Sequence, residues 1–329
     1  MNNNKYQISL KKSNGDNQND INEIQDKRYS SNKKVFLNCS DKYINTSLST
    51  YIGSYINNKK NGKGKLIVPD QFVYEGNFKD DLFDGYGEYT SKSYNYYGNY
   101  SCGKKNGNGK EIDLIKKTEY EGEFKDDQKC GYGKEKTDDG SIYIGDFKDN
   151  KKHGQGTLIL SGIEDWSYKG EFRDDKIAGI GQFRWNKNME YIGEWENSEL
   201  SGYGMLIKEN TRHIGYFSHN NKHGFGASFY SNKYAILGKW KDDLIEGNAI
   251  IIPLSNLSQS NNEDNIDNYQ VVKTSKGEII ENNLETDEIN DFKSSQEFKD
   301  MLLLYRNKIY PQFLQNIQKN NNKDFENNH

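Results

Sequence analysis

Between Tyr120 and Phe124 the chain reads Tyr-Glu-Gly-Glu-Phe. Rings and a glycine take one parity and acids take the other. That alternation of period two predicts a strand with one buried face. The polar run Lys125-Asp126-Asp127-Gln128-Lys129 suits a turn. Gly131-Tyr132-Gly133 then opens a return strand. One such unit is a β-hairpin. The alternative, a helix with rings at i and i+4, is disfavoured because each interior glycine costs a helix about 1 kcal/mol relative to alanine.

The unit recurs. Aromatic-x-Gly-x-aromatic stands at Tyr51-Gly53-Tyr55, Tyr74-Gly76-Phe78, Tyr96-Gly98-Tyr100 and Tyr120-Gly122-Phe124. It continues at Tyr143-Gly145-Phe147, Tyr168-Gly170-Phe172 and Tyr191-Gly193-Trp195, with looser copies at His213-Gly215-Phe217 and Ile236-Gly238-Trp240. Successive copies are 22 to 25 residues apart. The first eight are each followed by Gly-x-Gly, as at Gly154 and Gly156; the ninth keeps Gly247 and replaces the second glycine with Ala249. A fixed period of this length defines a repeat architecture, in which each unit buries its apolar face against its neighbours. A glycine on the buried face leaves room for a ring from the paired strand or the next repeat to lie over it.

The ends of the chain differ from this middle. By composition, residues 1–33 read as a disordered tail. Residues 34–50, with Val35-Phe36-Leu37 and Tyr43-Ile44, suit a cap on the first hairpin. Residues 51–252 hold the nine repeats, and 253–290 read as a linker with a closing hairpin near Tyr269–Ile280. Within 291–320, Ser294 and Glu297 form a capping box. Phe298, Met301, Leu302, Tyr305 and Ile309 follow it at helical spacing. Two readings stand for that stripe. It folds back on the end of the sheet, or it lays its apolar face in a partner's groove. Residues 321–329 read as a tail.

Composition narrows the function. Apolar residues are 33% of the chain, with mean hydropathy −1.06, too polar for a large aliphatic core. The 24 tyrosines supply an aromatic one instead. Net charge is −4, which offers no general attraction to nucleic acid. No secretory leader is expected from MNNNKYQISLKK, nor a membrane span from any apolar run. The three cysteines lack metal-ligand spacing, and free thiols in a reducing compartment are expected.

Chemical motifs dissolve into the repeat. GKKNGNGK at 103–110 resembles a phosphate loop, but its glycines are those of the third copy and Glu111 stands where Mg²⁺ binding needs a hydroxyl. The acid pairs Asp80-Asp81, Asp126-Asp127, Asp174-Asp175 and Asp242-Asp243 fall at predicted turns. Lys59-Lys60, Lys104-Lys105 and Lys151-Lys152 share one repeat position. Such a row can discourage wrong strand pairing or meet acidic lipid headgroups. No catalytic, cofactor-binding or metal-binding residues are expected.

The unit Tyr-x-Gly-x-Phe-Lys-Asp-x-Lys-Lys-His-Gly-x-Gly, clearest at Tyr143 to Gly156, closely resembles the MORN repeat. The resemblance covers about 51–249. It implies an all-β, single-layer antiparallel sheet of stacked hairpins, followed here by a short helical segment. It implies a non-enzymatic scaffold that contacts other proteins of a large assembly, with a homodimer as a further option. Repeat-only relatives in radial-spoke heads point to a cilium, axoneme or cytoskeleton as the location. The alternatives are a peripheral adaptor on acidic lipid and a regulatory subunit of an enzyme on another chain. Outer-face acids Glu121, Glu123, Glu194 and Glu196 are expected to set partner specificity.

Overall fold

The computed structural model describes residues 34–36, 43–45, 49–162, 166–231, 233–254, 269–282, 284–304 and 307. Two compact units divide the chain, residues 10–176 and 177–329. In the first, β1 (Lys34–Phe36) pairs with β2 (Tyr43–Asn45). Consecutive antiparallel hairpins follow: β3 (Thr50–Ile56), β4 (Lys59–Val68), β5 (Phe72–Lys79), β6 (Leu82–Ser91), β7 (Tyr94–Ser101), β8 (Lys104–Asp113), β9 (Thr118–Lys125), β10 (Gln128–Lys136), β11 (Ile142–Lys148), β12 (Lys151–Ile159) and β13 (Ser167–Arg173).

The second unit repeats the pattern. It holds β14 (Lys176–Asn186), β15 (Met189–Glu196), β16 (Glu199–Lys208), β17 (Thr211–Ser218), β18 (Asn221–Tyr230), β19 (Tyr234–Lys241), β20 (Leu244–Pro253), β21 (Gln270–Ser275) and β22 (Glu278–Glu281). Two helices follow, α1 (Thr286–Ser294) and α2 (Gln296–Leu304).

Glycine sets the register. Gly53 pairs with Gly64, Gly64 with Gly76, Gly76 with Gly87, and the row continues through Gly98, Gly109, Gly122, Gly133, Gly145 and Gly156 to Gly170. In the second unit it runs Gly181, Gly193, Gly204, Gly215, Gly226, Gly238. The rings of Tyr51, Tyr74, Tyr96, Tyr120, Tyr143 and Tyr191 lie over this row. A Cβ on Gly122 would stand 2.5 Å from Tyr120 Oη and 2.6 Å from Gly133 Cα; one on Gly133 would stand 2.6 Å from the same ring. The expected cover is therefore present. The ring over Gly122 comes from its own strand, two residues earlier, and it covers the paired Gly133 as well.

The tyrosine hydroxyl has a fixed task. Between Gly76 and Phe78 the register shifts, because Phe78 pairs with Phe83 while Gly76 pairs with Gly87. Asn77 has no register partner on β6, and its carbonyl accepts a hydrogen bond from Tyr74 Oη at 2.9 Å. Tyr96, Tyr120, Tyr143 and Tyr191 make the same bond to the carbonyls of Asn99, Glu123, Asp146 and Glu194, at 2.9 to 3.1 Å. The bulge on the return strand contains the first glycine of Gly-x-Gly. Gly85 has φ +91°, a conformation that strains any residue with a Cβ.

The buried rings form an edge-to-face ladder. Tyr120 meets Phe124 at 5.1 Å and Phe147 at 4.9 Å; Tyr143 meets Phe147 at 5.1 Å and Phe172 at 5.0 Å. Each such pair adds about 1 kcal/mol beyond area burial. Tyr74, Tyr96 and Tyr168 are fully buried.

The turns lock hairpin to hairpin. Asp126 and Asp127 both have positive φ (50° and 69°), which gives a two-residue turn whose twist matches the flanking strands. Asp127 Oδ1 accepts from Lys105 N–H at 2.8 Å, and Asp127 N–H donates to Lys105 O at 3.0 Å. Asp81 on Lys60, Asn150 on Lys129, Asp175 on Lys152 and Asp243 on Lys222 repeat both bonds. The recurring acids are turn chemistry.

In the second unit the opposite face is buried too, from β16 to β21. Ile214, Ala227, Leu237, Ile250 and Val271 form one cluster with Phe292 of α1 and Phe298 of α2. The helical cap falls one residue later than the capping box at Ser294 suggests. Ser295 Oγ accepts from Phe298 N–H at 3.2 Å, while Ser294 closes α1 with its Oγ donating to Asp291 O.

Three outcomes follow. Gly122→Val should cost several kcal/mol in urea unfolding, because its Cβ meets backbone as well as a ring; an unchanged midpoint would refute the packing. Tyr120→Phe, which removes only the hydroxyl and its contacts with the Glu123 and Cys130 carbonyls, should cost about 1 kcal/mol. Phe292→Ala and Phe298→Ala should each cost about 3–5 kcal/mol if the helices are packed core; losses below about 0.5 kcal/mol would show that they are not.

Candidate interaction surface

The lysine pairs divide in two. The first lysine of two pairs faces an acid of the next turn, Lys59–Asp80 at 3.8 Å and Lys104–Asp126 at 3.7 Å. The second lies over a tyrosine. Lys60 Nζ is 5.6 Å from the Tyr51 ring centroid, Lys105 Nζ 5.6 Å from that of Tyr96 and Lys152 Nζ 5.4 Å from that of Tyr143, and Lys129, which follows Gln128, lies 4.7 Å from that of Tyr120. In the second repeat Phe83 stacks on Tyr74 at 3.6 Å in the same place. The position therefore takes any side chain that covers the ring, a flat hydrocarbon or a cation over the π-face.

At Lys105, Lys129 and Lys152, carboxylates join. Glu111 contacts Lys105 and Lys129, and Glu135 bonds Lys129 at 2.9 Å and Lys152 at 2.8 Å. Tyr94 Oη donates to Glu111 at 3.0 Å. Burial opposes ionisation of Glu111 and Glu135, but their lysines outweigh it and hold both carboxyls below the usual range. The row is satisfied within itself, so the tucked lysines present little free charge to a headgroup.

His213 replaces tyrosine in the eighth repeat. It is buried, packs edge-on against Phe217 and Trp240, and shares a 2.9 Å hydrogen bond between Nδ1 and Ser228 Oγ. Its Nε2 has no partner. Burial, then the charge of Lys222, pushes its pKa well below the ordinary 6.5, so the ring is neutral.

The outer face of residues 10–176 is open and charged. Lys65 pairs with Glu75 at 2.9 Å, and Lys110 with Glu119 at 3.2 Å. The middle residues of Gly-x-Gly project here. Tyr86 is 52% exposed and Tyr132 61%. Glu123 is less free than expected, since its Oε1 accepts from Tyr132 N–H at 3.2 Å and braces the bulge. Glu194 does the same for Tyr203 N–H at 3.1 Å. Glu121 and Glu196 are exposed. The exposed tyrosines were missed by sequence reasoning; the signal was their place between two glycines, on the parity opposite the buried rings.

The sequence-predicted repeat residues converge on the inner face. Tyr74, Tyr120, Tyr143, Tyr191, Phe124, Phe147 and Trp195 are buried there, over Gly76, Gly122, Gly145, Gly156 and Gly193. Tyr51 covers Gly53. Of the helical stripe, Phe298 is buried against its own sheet. The side chains of Met301 and Leu302, and the whole of Tyr305 and Ile309, lie outside the described residues. Among the described residues no group of three His, Cys, Asp or Glu side chains could hold a metal ion. None of their helices is long and apolar enough to cross a membrane.

A register of glycines, rings folded over them and stacked two-residue turns define a hairpin-repeat protein. The MORN-repeat family model matches at 51–71, 74–95, 96–113, 120–142, 143–161, 168–189, 191–210 and 213–232. The chain belongs to the MORN-repeat family. A segment of 67 residues is 39% identical to Alsin from Rattus norvegicus, covering 18% of this chain and 4% of that protein. The chain thus spans a small fraction of that relative. A solved structure of Hsv2 from Kluyveromyces lactis aligns over 72% of this chain and 77% of its own at 12% identity, with a TM-score of 0.13 that carries no structural likeness.

Acid should loosen the fold in two steps. The folded pKa of His213 is depressed, so its contribution is intact above 6.5 and is lost as pH falls below 6.5. The depressed carboxyls of Glu111 and Glu135 contribute above 4.5 and lose that contribution as pH falls further. Urea midpoints against pH should show both limbs. His213→Phe should remove the first and Glu135→Gln should shrink the second; a curve unchanged in both variants would contradict the assignment.

Proposed function

We propose that the chain is a non-enzymatic scaffold whose outer face in residues 10–176 binds other proteins of a larger assembly. The observation that carries this reading is the contrast between the units. From β16 to β21 the same face is buried in a cluster with the chain's own helices, whereas in 10–176 it presents exposed Tyr86 and Tyr132 among Lys65, Glu75, Lys110, Glu121 and Lys134. Exposed tyrosine amid mixed charge suits protein recognition, because the ring supplies contact area at small entropic cost. The family is a repeat family without catalytic machinery of its own, which agrees with this role.

The assembly we favour is a ciliary one, axonemal or radial-spoke, or else cytoskeletal; the support is the resemblance to repeat-only scaffolds. Detergent extraction of cells carrying the tagged chain tests it. Retention with axonemes or cytoskeleton is expected, with cross-links concentrated on β6 to β10. Release with membrane markers would overturn it. Glu121→Lys with Tyr132→Lys should leave the melting midpoint within about 2 °C, as surface changes do, and reduce retention. Retention equal to that of the unaltered chain would remove the outer face from the account.

A further inference from the structure

The ninth repeat departs from its siblings at two ring positions on the tyrosine face. Ile236 stands where the others have tyrosine or histidine. The second departure is one strand pair further on. Gly226 pairs with Gly238, and Ala249 pairs with Val272. Val272 therefore takes the glycine position of β21, and Thr274, two residues later, takes the position of the second ring. Elsewhere a ring there packs edge-on against the preceding repeat. Phe147 meets Tyr120 at 4.9 Å, Phe217 meets Tyr191 at 5.1 Å, and Trp240 meets His213 at 5.0 Å. Thr274 supplies no ring, and its hydroxyl is occupied by the Gly247 carbonyl at 2.8 Å.

The missing ring leaves space. A cavity of about 200 Å³ opens at this place, lined by Ile236, Trp240, Ile245, Val272, Thr274 and Ile279. Lys222 and Asp243 also line it. Lys222 Nζ sits 4.5 Å from the Trp240 ring centroid. Its counterparts all have acids: Lys60 has Asp81 at 3.5 Å, and Lys129 and Lys152 have Glu135 at 2.9 and 2.8 Å. Glu135 stands six residues after Lys129, and the residue six after Lys222 is Ser228. Asp243 binds the Lys222 backbone N–H at 2.8 Å. Among the described residues no carboxylate lies in ion-pair range of Lys222 Nζ.

We propose that this cavity binds an aromatic ring that carries a carboxylate a few bonds away. The ring fills the space that phenylalanine or tryptophan fills in the other repeats, against Trp240 and Ile236. The carboxylate pairs with Lys222 Nζ, as Glu135 does with Lys129. A largely apolar recess with a cation that Asp243 reaches only through space, beyond ion-pair distance, fixes both parts of the ligand. The same chemistry comes from a free aromatic acid or from a protein chain that ends in phenylalanine. The site is on the tyrosine face of residues 177–329 and does not depend on the outer-face reading.

The test titrates the full chain with 3-phenylpropionate and follows the Trp240 indole N–H by NMR, assigned through Trp240→Phe. A saturable shift is expected. Binding should weaken about tenfold or more, one ion pair's worth, for 3-phenylpropanol and in Lys222→Met. Thr274→Phe places the chain's own ring in the cavity and should abolish binding while raising the unfolding midpoint. A peptide ending in Gly-Gly-Phe with a free carboxylate, compared with its amide, separates the two sources. Tighter binding of the free-acid peptide than of 3-phenylpropionate assigns a protein C-terminus; weaker binding assigns a small acid. No saturable shift by about 10 mM, weak even for a ligand of this size, overturns the proposal. So does binding that neither the alcohol nor Lys222→Met weakens, a result that stands even if Thr274→Phe fails to fold.

Discussion

A tyrosine folded over two paired glycines is the contact on which the rest depends. The glycines must lack side chains for the ring to lie on the backbone, and the ring must carry a hydroxyl to reach the carbonyl three residues on. That carbonyl belongs to a residue left without a register partner by the bulge, as Asn77 is on β6. A buried carbonyl without a donor would cost about 1–3 kcal/mol. Ring, glycine and bulge therefore require one another. A lone hairpin has no second ring to pack against, and the stack supplies it through contacts such as Tyr120 with Phe147.

Other features follow from covering that ring. Phe83 covers Tyr74, and Lys129 covers Tyr120. At Lys105, Lys129 and Lys152 the charge is matched by Glu111 or Glu135, which explains two acids on a buried face. The turn acids fix the pitch, since Asp127 bonds both backbone groups of Lys105. From β16 to β21 the sheet is buried on both faces, with Phe292 of α1 and Phe298 of α2 in the second layer. The same repeat thus yields one unit with an open outer face and one whose outer face is covered from β16 to β21.

Much of this was legible in the sequence. The hairpins, the repeat length and the buried parity follow from ring and glycine spacing, because few other arrangements tolerate glycine at fixed places in strands. The acid pairs announced turns for a similar reason. The division of labour within Lys104-Lys105 was not legible, since alternate residues of a strand face opposite ways and a pair of lysines looks like one feature. Glu123 looked like a recognition residue, but its carboxylate braces the Tyr132 amide, a contact that exists only once the bulge forms. The burial of both faces near Leu237 and Ile250 had a signal, the loss of alternation in Ala-Ile-Leu and Ile-Ile-Ile, that points to a covering layer.

The central claim is best tested by a double-mutant cycle between Tyr120 and Gly133, with urea unfolding of the full chain. If the ring lies on the paired glycine, Gly133→Ala should be costly in the unaltered chain and cheap once Tyr120→Ala has removed the ring. A coupling of about 1–3 kcal/mol is predicted, the range for groups in direct contact. Additivity within about 0.5 kcal/mol, as for groups that do not touch, would contradict the account.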